Sequence, residues 1–200
     1  MTGVQTCALP ICQDSENDLI KEGNYGAGCG ASVGKLLGFE HAMKSGAGYA
    51  EIILPDGLAV GTYMAVNACG EIYDQDKILA GALADDDRTI ISSHRLMLEG
   101  YERNMGGNTS IGCIITNADL TKTECRMVST MAHDGLARSI RPVHTSMDGD
   151  TLFTMASGEV KTTIDTVGYL AEEAVRLAVL DAAASAEGMG GRPAYRDIIK

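Results

Sequence analysis

The chain has 200 residues, of which 45% are hydrophobic and 22% are charged, and its 16 basic and 27 acidic side chains give a net charge of −11. This length suits one domain, and the composition excludes a disordered chain and a collagen-like repeat. The negative charge and the lack of a basic stripe argue against a nucleic-acid partner, and no apolar run approaches the ~18 residues that a membrane span needs.

The first twelve residues are expected to be foreign to the protein. Thr2–Ile11 reads TGVQTCALPI, which resembles the translation of a sequencing-library adapter, so residues 1–12 are excluded from fold prediction. No signal peptide is recognisable, and we expect a cytoplasmic protein. The six cysteines form no CxxC pair and no metal-ligand spacing with the four histidines, so reduced thiols and no bound metal are expected.

A glycine-rich segment, Gly26–Gly34, leads to Lys35. Cys29 stands where a phosphate-binding Walker loop needs glycine, and Leu36 stands where it needs Ser or Thr. The glycine pattern of dinucleotide-binding loops fails as well. Nucleotide binding is therefore not expected, and a tight connection before a helix is the alternative.

Two strands, Tyr49–Leu54 and Ala59–Ala68, are predicted on either side of a Pro-Asp-Gly turn, which is a hairpin pattern. Glu71–Asp74 is expected to extend the sheet. The three acidic residues of Asp85–Asp87 are typical of a solvated loop, and Ser92–Glu99 is predicted to form a short helix.

The second half of the chain alternates strands and helices. Ser110–Thr116 is rich in β-branched residues and predicts a buried strand. The capping box Thr121–Glu124 begins a helix that we expect to reach about Arg141, and Thr151–Ala156 predicts another strand. A long amphipathic helix follows over about 162–188, so the pattern predicts a layered α/β or α+β domain, without fixing the strand order.

Thr109 is a candidate nucleophile. Cleavage of the Asn108–Thr109 bond would place a hydroxyl and a free α-amine on one residue, and an α-amine with an ordinary pKa of ~8 can take the hydroxyl proton. Gly106 and Gly107 precede the bond and would permit the strained backbone that self-cleavage needs. The alternatives are a plain turn before the strand, or a glycosylation acceptor, which lacks a visible secretory route.

Two carboxylates, Asp148 and Asp150, flank a glycine just before a predicted strand. They could point to one site and hold an ammonium group, although an ordinary turn is the alternative. A metal pair is not expected because no third ligand lies nearby. His133, on the capped helix, is expected to be a packed or surface histidine.

Four segments, in order, resemble the DmpA-type aminopeptidases, a family that includes β-peptidyl aminopeptidases and nylon-oligomer hydrolases. They read GAGCGASVGKLLG, AVNACGEIYD, NTSIGCIITNADLTK and MAHDGLARSIRPVHTSMDGDTLF. The resemblance runs from about Tyr25 to Asp181. It implies a precursor that cleaves itself before Thr109, which becomes the amino-terminal nucleophile, with Asn108 at the other side of the bond.

The resemblance also implies roles for four further side chains. Asn67 matches an asparagine assigned to oxyanion stabilisation, and Lys35 matches an active-site lysine of the nylon-hydrolase branch. Asp148 and Asp150 match the aspartate pair of that branch, which would orient the threonine amine and hydroxyl or neutralise a substrate ammonium. No cofactor is implied.

The family fold implied is a four-layer αββα sandwich that assembles as tetramers and hydrolyses short peptides or amide oligomers. Residues 13–108 would then be the carboxy-terminal part of the α-subunit region and residues 109–200 the β-subunit region, in one domain. The family's amino-terminal portion is expected to be missing, so this chain should expose apolar surface, aggregate or stay uncleaved, and be inactive.

Two other functions remain open at this point. Ornithine acetyltransferases share the sandwich and a self-generated threonine nucleophile, so acyl transfer to an amino acid could replace hydrolysis. An inert scaffold, with the glycines and the Asp-Gly-Asp sequence serving only as turns, is the alternative without catalysis.

Overall fold

The computed structural model describes residues 20–101 and 107–198, and the adapter-like segment 1–12 and Gly106 lie outside them. The strands are β1 (Ser32–Val33), β2 (Met43–Lys44), β3 (Ala47–Ile53), β4 (Ala59–Ala65), β5 (Glu71–Asp74), β6 (Lys77–Ala80), β7 (Ala82–Leu83), β8 (Ile90–Ile91), β9 (Ile111–Ala118), β10 (Ile140–Arg141) and β11 (Thr151–Val160). The α-helices are α1 (Ser93–Leu98), α2 (Lys122–Ser139), α3 (Ile164–Ser185) and α4 (Tyr195–Ile198), and short 3-10 turns cover Gly26–Gly30 and Phe39–His41.

The main sheet has four strands in the order β11-β9-β4-β3. The hairpin β3–β4 is antiparallel, β4 pairs antiparallel with β9, and β9 pairs parallel with β11. One row of side chains crosses all four strands, through Tyr49, Tyr63, Cys113 and Phe153. The long helix α2 provides the crossover that a parallel β9–β11 pair requires.

Helices α2 and α3 pack side by side and cover one face of this sheet. The covered face carries residues such as Met64 and Ile114, and they are fully buried with Leu136 and Val175 of the two helices. Strand residues alternate between the two faces, so every second side chain enters this core. The core therefore lies between the helix layer and the main sheet, and it continues to Ile72 and Leu79 on β5 and β6.

The opposite face of the sheet is open and apolar. Ile115, Phe153 and Met155 are each 55–56% exposed there. A cleft of about 1000 Å³ follows this face, between Tyr49, Tyr63 and the β9–β11 pair. The apolar surface that the sequence predicts is thus present on this side of the sheet.

A second, three-stranded sheet has the order β10-β5-β6, and β1–β2 and β7–β8 form two-stranded pairs. The connection between β4 and β5 leaves the main sheet and enters the second one. Asn67 lies in that connection, beyond the end of β4 at Ala65. The predicted strand 59–68 was therefore too long, and its excess residues form a loop of the candidate site.

Several other predicted boundaries differ from the structure. Helix α2 ends at Ser139 instead of Arg141, because Ile140 pairs with Ile72 in the second sheet. Helix α3 ends at Ser185, well before Gly188, because Ala186 adopts an extended conformation. The glycine-rich segment itself contains the short strand β1. A turn and the 3-10 turn Phe39–His41 follow it, so the helix expected there is absent from this described stretch.

The hairpin, the capping box and the short helix α1 agree with the predictions. The chain between the second sheet and α1 also contains β7 and β8, two-residue strands that the sequence did not reveal. The loop Asp85–Asp87 is exposed as expected. Of the helices in residues 20–101 and 107–198, not one combines the length and the apolar composition that crossing a bilayer requires.

Candidate active site

Thr109 lies on the surface between two buried neighbours, two residues before β9 begins. Asn108 is 4% exposed and Ser110 is fully buried, whereas Thr109 itself is exposed. The Thr109 amide donates a hydrogen bond to the backbone oxygen of Asn67 at 3.1 Å. Thr109 is thus exposed to solvent, while its backbone is fixed by the two buried residues beside it.

The carbonyl oxygen of Asn108 accepts hydrogen bonds from Thr109 and from Gly149. The Thr109 Oγ1 hydroxyl donates to it at 2.5 Å, and the backbone N–H of Gly149 donates to it at 2.9 Å. Asn108 and Asp148 form a parallel β-bridge here. The hydroxyl and the carbonyl of the predicted cleavage bond are therefore in direct contact.

Lys35 is buried beside the Asn108–Thr109 bond and is hydrogen-bonded to Asn67. Its Nζ donates to the Asn67 backbone oxygen at 3.1 Å and to Asn67 Oδ1 at 2.6 Å, and the Ser32 amide also donates to Oδ1, at 3.2 Å. Two donors on Oδ1 fix the orientation of the amide, so the Nδ2 end of Asn67 is directed away from Lys35. The Asn67 backbone oxygen joins Lys35 Nζ to the Thr109 amide.

Burial lowers the pKa of Lys35 to about 8, because the charged form loses its hydration. The neighbouring Asp148 acts in the opposite direction, since its negative charge favours the ammonium form. Burial also raises the pKa of the Cys69 thiol to about 11, and Asp148 adds to that effect. At neutral pH the pair is therefore an ammonium group and a thiol.

Asp148 is held by the loop residues around it. Its Oδ1 accepts from the Cys69 amide at 3.0 Å and its Oδ2 from the Thr145 hydroxyl at 2.6 Å. Both oxygens are thus engaged, and the carboxylate ties the β4–β5 connection to the loop before β11.

Asp150 has a side chain that is only 1% exposed, and it is anchored in a similar way. Its Oδ1 accepts from the Ser110 amide at 2.9 Å, and its Oδ2 lies 3.1 Å from His144 Nδ1. Asp150 therefore contacts the residue that follows Thr109.

His144 was not singled out by the sequence, although it lies in the last of the four family-like segments. It has a positive φ of 53°, and its ring makes an edge contact with His133 at a centroid distance of 4.9 Å. The two rings and Asp150 line a cleft of about 450 Å³. Burial lowers the pKa of His133, and the adjacent His144 lowers it further.

The structure brings Lys35, Asn67, Asn108, Thr109 and Asp148 into one hydrogen-bonded cluster, and Asp150 joins it through the amide of Ser110. The sequence did not identify Cys69, Thr145 or Gly149 as members. In the described ranges no group of three His, Cys, Asp or Glu residues could hold a metal ion. The larger cleft on the open sheet face does not include Thr109.

Comparison with protein families places this cluster in context. Residues 4–196 match the model of peptidase family S58. The chain belongs to peptidase family S58. The match begins inside the first twelve residues, so their adapter origin stays a prediction.

Among curated proteins, this S58 chain is 34% identical to an uncharacterised aminopeptidase of Mycobacterium leprae, over 86% of this chain and 51% of that protein. It is 30% identical to the 6-aminohexanoate-oligomer endohydrolase of Kocuria sp. (strain KY2), over 70% of this chain and 40% of that enzyme. The S58 chain thus spans about half the length of the curated relatives it matches first.

Solved structures share the fold. A β-aminopeptidase of Burkholderia sp. superposes with a TM-score of 0.58 at 20% identity, covering 88% of this chain and 50% of that one. The L-aminopeptidase D-Ala-esterase/amidase of Ochrobactrum anthropi, described as a variant of the Ntn hydrolase fold, gives a TM-score of 0.59 at 19% identity, covering 87% and 47%. The predicted fold class is confirmed.

Proposed function

We propose that this S58 chain carries the self-cleavage bond and the nucleophile of a hydrolase that acts on the amide bonds of short peptides or amide oligomers. The observation that carries the proposal is the contact between the exposed Thr109 hydroxyl and the carbonyl of the bond before it. A buried lysine and an oriented asparagine amide lie beside that bond.

In the proposed reaction, Thr109 Oγ1 attacks the carbonyl carbon of Asn108, the C–N bond breaks, and the hydroxyl proton ends on the Thr109 nitrogen. The break of the C–N bond frees the α-amine, and water then hydrolyses the resulting ester to give the Asn108 carboxylate and the free Thr109 hydroxyl. In the mature protein the α-amine takes the hydroxyl proton during attack on a substrate amide and returns it to the leaving amine. Asn67 Nδ2 would donate to the substrate oxyanion.

The names of the relatives support the substrate class, since they include aminopeptidases and amide-oligomer hydrolases. The ornithine acetyltransferase alternative is not favoured by these names. Turnover assays with ornithine present would separate the two, because a transferase gives an acylated amino acid where a hydrolase gives the free acid. Tetramer formation and a cytoplasmic location stay predictions.

The decisive experiment is intact-mass analysis of the full-length gene product that contains these residues. Wild-type protein should yield two chains divided before Thr109, whereas T109A should yield one unbroken chain, because alanine has no hydroxyl to attack the carbonyl. T109S should still divide.

T123A is the control, since Thr123 is an exposed threonine on α2, outside the cluster. It should divide like the wild type. Division of T109A at the same bond, or an undivided wild type, would refute the proposal.

A further inference from the structure

The backbone amide of Gly149, a residue far from the cleavage bond in sequence, contacts the carbonyl oxygen of that bond. Its N–H donates to the Asn108 carbonyl oxygen at 2.9 Å, and that oxygen would become negatively charged when Thr109 Oγ1 attacks. We propose that the Gly149 amide is the oxyanion donor of the self-cleavage step, an inference that rests on the proposed function. A fixed N–H aimed at a developing negative charge lowers the barrier because it needs no reorganisation.

The need for glycine at this position comes from space rather than from backbone conformation. Gly149 is not among the residues with positive φ, so its φ angle does not demand glycine. A Cβ atom at position 149 would lie 2.8 Å from Thr109 Oγ1, closer than real Cβ contacts come. The missing side chain therefore leaves room for the nucleophilic hydroxyl.

The two aspartates around Gly149 hold its amide in place. Asp148 is fixed by the Cys69 amide and Asp150 by the Ser110 amide, at 3.0 and 2.9 Å. In the unbroken chain these carboxylates therefore accept hydrogen bonds from backbone amides, and Gly149 lies between two residues whose side chains are fixed. Such anchoring is how a loop supplies a donor at a constant position.

The step proceeds as follows. A C–O bond forms between Thr109 Oγ1 and the Asn108 carbonyl carbon, and the carbonyl electrons move onto the oxygen that Gly149 N–H contacts. When the electrons return, the C–N bond breaks and the Thr109 nitrogen keeps the proton that Oγ1 released. Gly149 supplies no atom and takes no proton, and it stabilises only the intermediate charge.

The test removes the single N–H and keeps the shape of the chain. Glycolic acid incorporated at position 149 of the full-length gene product replaces the amide with an ester oxygen. Self-cleavage, followed by intact mass after synthesis, should slow by about 10²- to 10³-fold, which is the usual effect of losing one oxyanion donor.

The matched control is the next backbone hydrogen bond between the same two segments. The Thr151 amide donates to the Ser110 oxygen at 3.0 Å and does not contact the cleavage carbonyl. Lactic acid at position 151, compared with T151A, removes that N–H in the same way and should leave the cleavage rate near that of T151A. A role that is only structural would make the two ester variants similar.

A second variant tests the other part of the inference, that glycine at position 149 leaves room for the hydroxyl. G149A keeps the N–H but crowds the hydroxyl, so it should also cleave slowly, whereas G30A should cleave normally because a Cβ at Gly30 meets nothing within 4 Å. Cleavage of the folded ester variant at the wild-type rate would overturn the oxyanion role of the Gly149 amide while leaving Thr109 as nucleophile. Cleavage of G149A at the rate of G30A would overturn the requirement for space at this position. An undivided wild type would instead refute the proposed function.

Discussion

Lys35 shows how one buried charge can organise the reacting bond. Its ammonium group donates to both oxygens of Asn67. The backbone oxygen of Asn67 also accepts from the Thr109 amide, so the positive charge lies beside the bond at which the oxyanion develops and stabilises that negative charge. Because burial brings its pKa to about 8, the charge is lost within an accessible pH range. Above that pH the lysine keeps two hydrogens but no longer supplies a positive charge beside the cleavage bond.

The self-cleavage rate of the wild-type full-length product should therefore fall as the pH rises through about 8, the pKa of Lys35. The precursor is the right species to measure, since its Thr109 nitrogen is a peptide amide and cannot titrate in this range. K35M should cleave more slowly at pH 7, by about 10-fold if one charge-assisted hydrogen bond of ~1.5 kcal/mol is lost. Its rate should not fall near pH 8.

K77M is the control for loss of a lysine, since Lys77 is exposed and donates to the Tyr195 hydroxyl at the surface. It should keep the wild-type profile. A fall near pH 8 that persists in K35M would assign the titration to another group and contradict this role of Lys35.

Some residues of the candidate site could be predicted from the sequence and others could not. Thr109 stands out because two glycines, an asparagine and a strand surround it, and Asp148 and Asp150 stand out as a spaced pair. Gly149 looks like a turn glycine in sequence, and its contact with Thr109 depends on a bridge between segments about forty residues apart. Such long-range pairing leaves no local pattern to recognise.

At the scale of elements, local chemistry predicts where a helix begins better than where it ends. Thr121 and Glu124 form the complete capping box that the sequence indicates, because the donors and acceptors lie within one helical turn. The end of α2 depends on Ile140 joining the second sheet, which is a tertiary contact. The order of the strands depends on contacts of the same kind.

The α2–α3 contact requires a small residue at Gly135. A Cβ there would lie 2.2 Å from the backbone oxygen of Glu172 on α3, and backbone cannot move aside as a side chain can. G135A should therefore destabilise the protein by about 1–3 kcal/mol, the usual cost of overpacking, measured by urea unfolding. This cost outweighs the ~0.5–1 kcal/mol that alanine normally contributes over glycine inside a helix.

Gly168 on α3 offers a matched comparison at the same helix pair. A Cβ there would meet the Cε and Sδ atoms of Met131, which is the flexible end of a side chain and can change rotamer. G168A should change the free energy of unfolding by less than about 1 kcal/mol. Equal destabilisation by both substitutions would mean that the helices do not approach through Gly135 as described.

At the scale of the whole molecule, the open face of the main sheet is the main departure from an ordinary globular surface. Ile115 and Phe153 lie on it, more than half exposed, and neighbouring strands place further apolar side chains beside them. Contiguous exposed apolar surface of this kind promotes association. The chain spans about half the length of its curated relatives. Expressed alone, it is expected to associate through this face.

The expressed 200-residue chain should scatter light and bind the dye ANS, and I115K should reduce both signals, because the lysine head group can remain hydrated at a position that is 55% exposed. The next residue supplies the control: Ile114 is fully buried on the helix-covered face, so I114K should place an unpaired charge in the core and unfold the chain. Circular dichroism distinguishes the two, since I115K should keep its helical signal and I114K should lose it. If I115K scattered light as strongly as the unmodified chain, association would have to arise from another surface, and the open sheet face would not explain it.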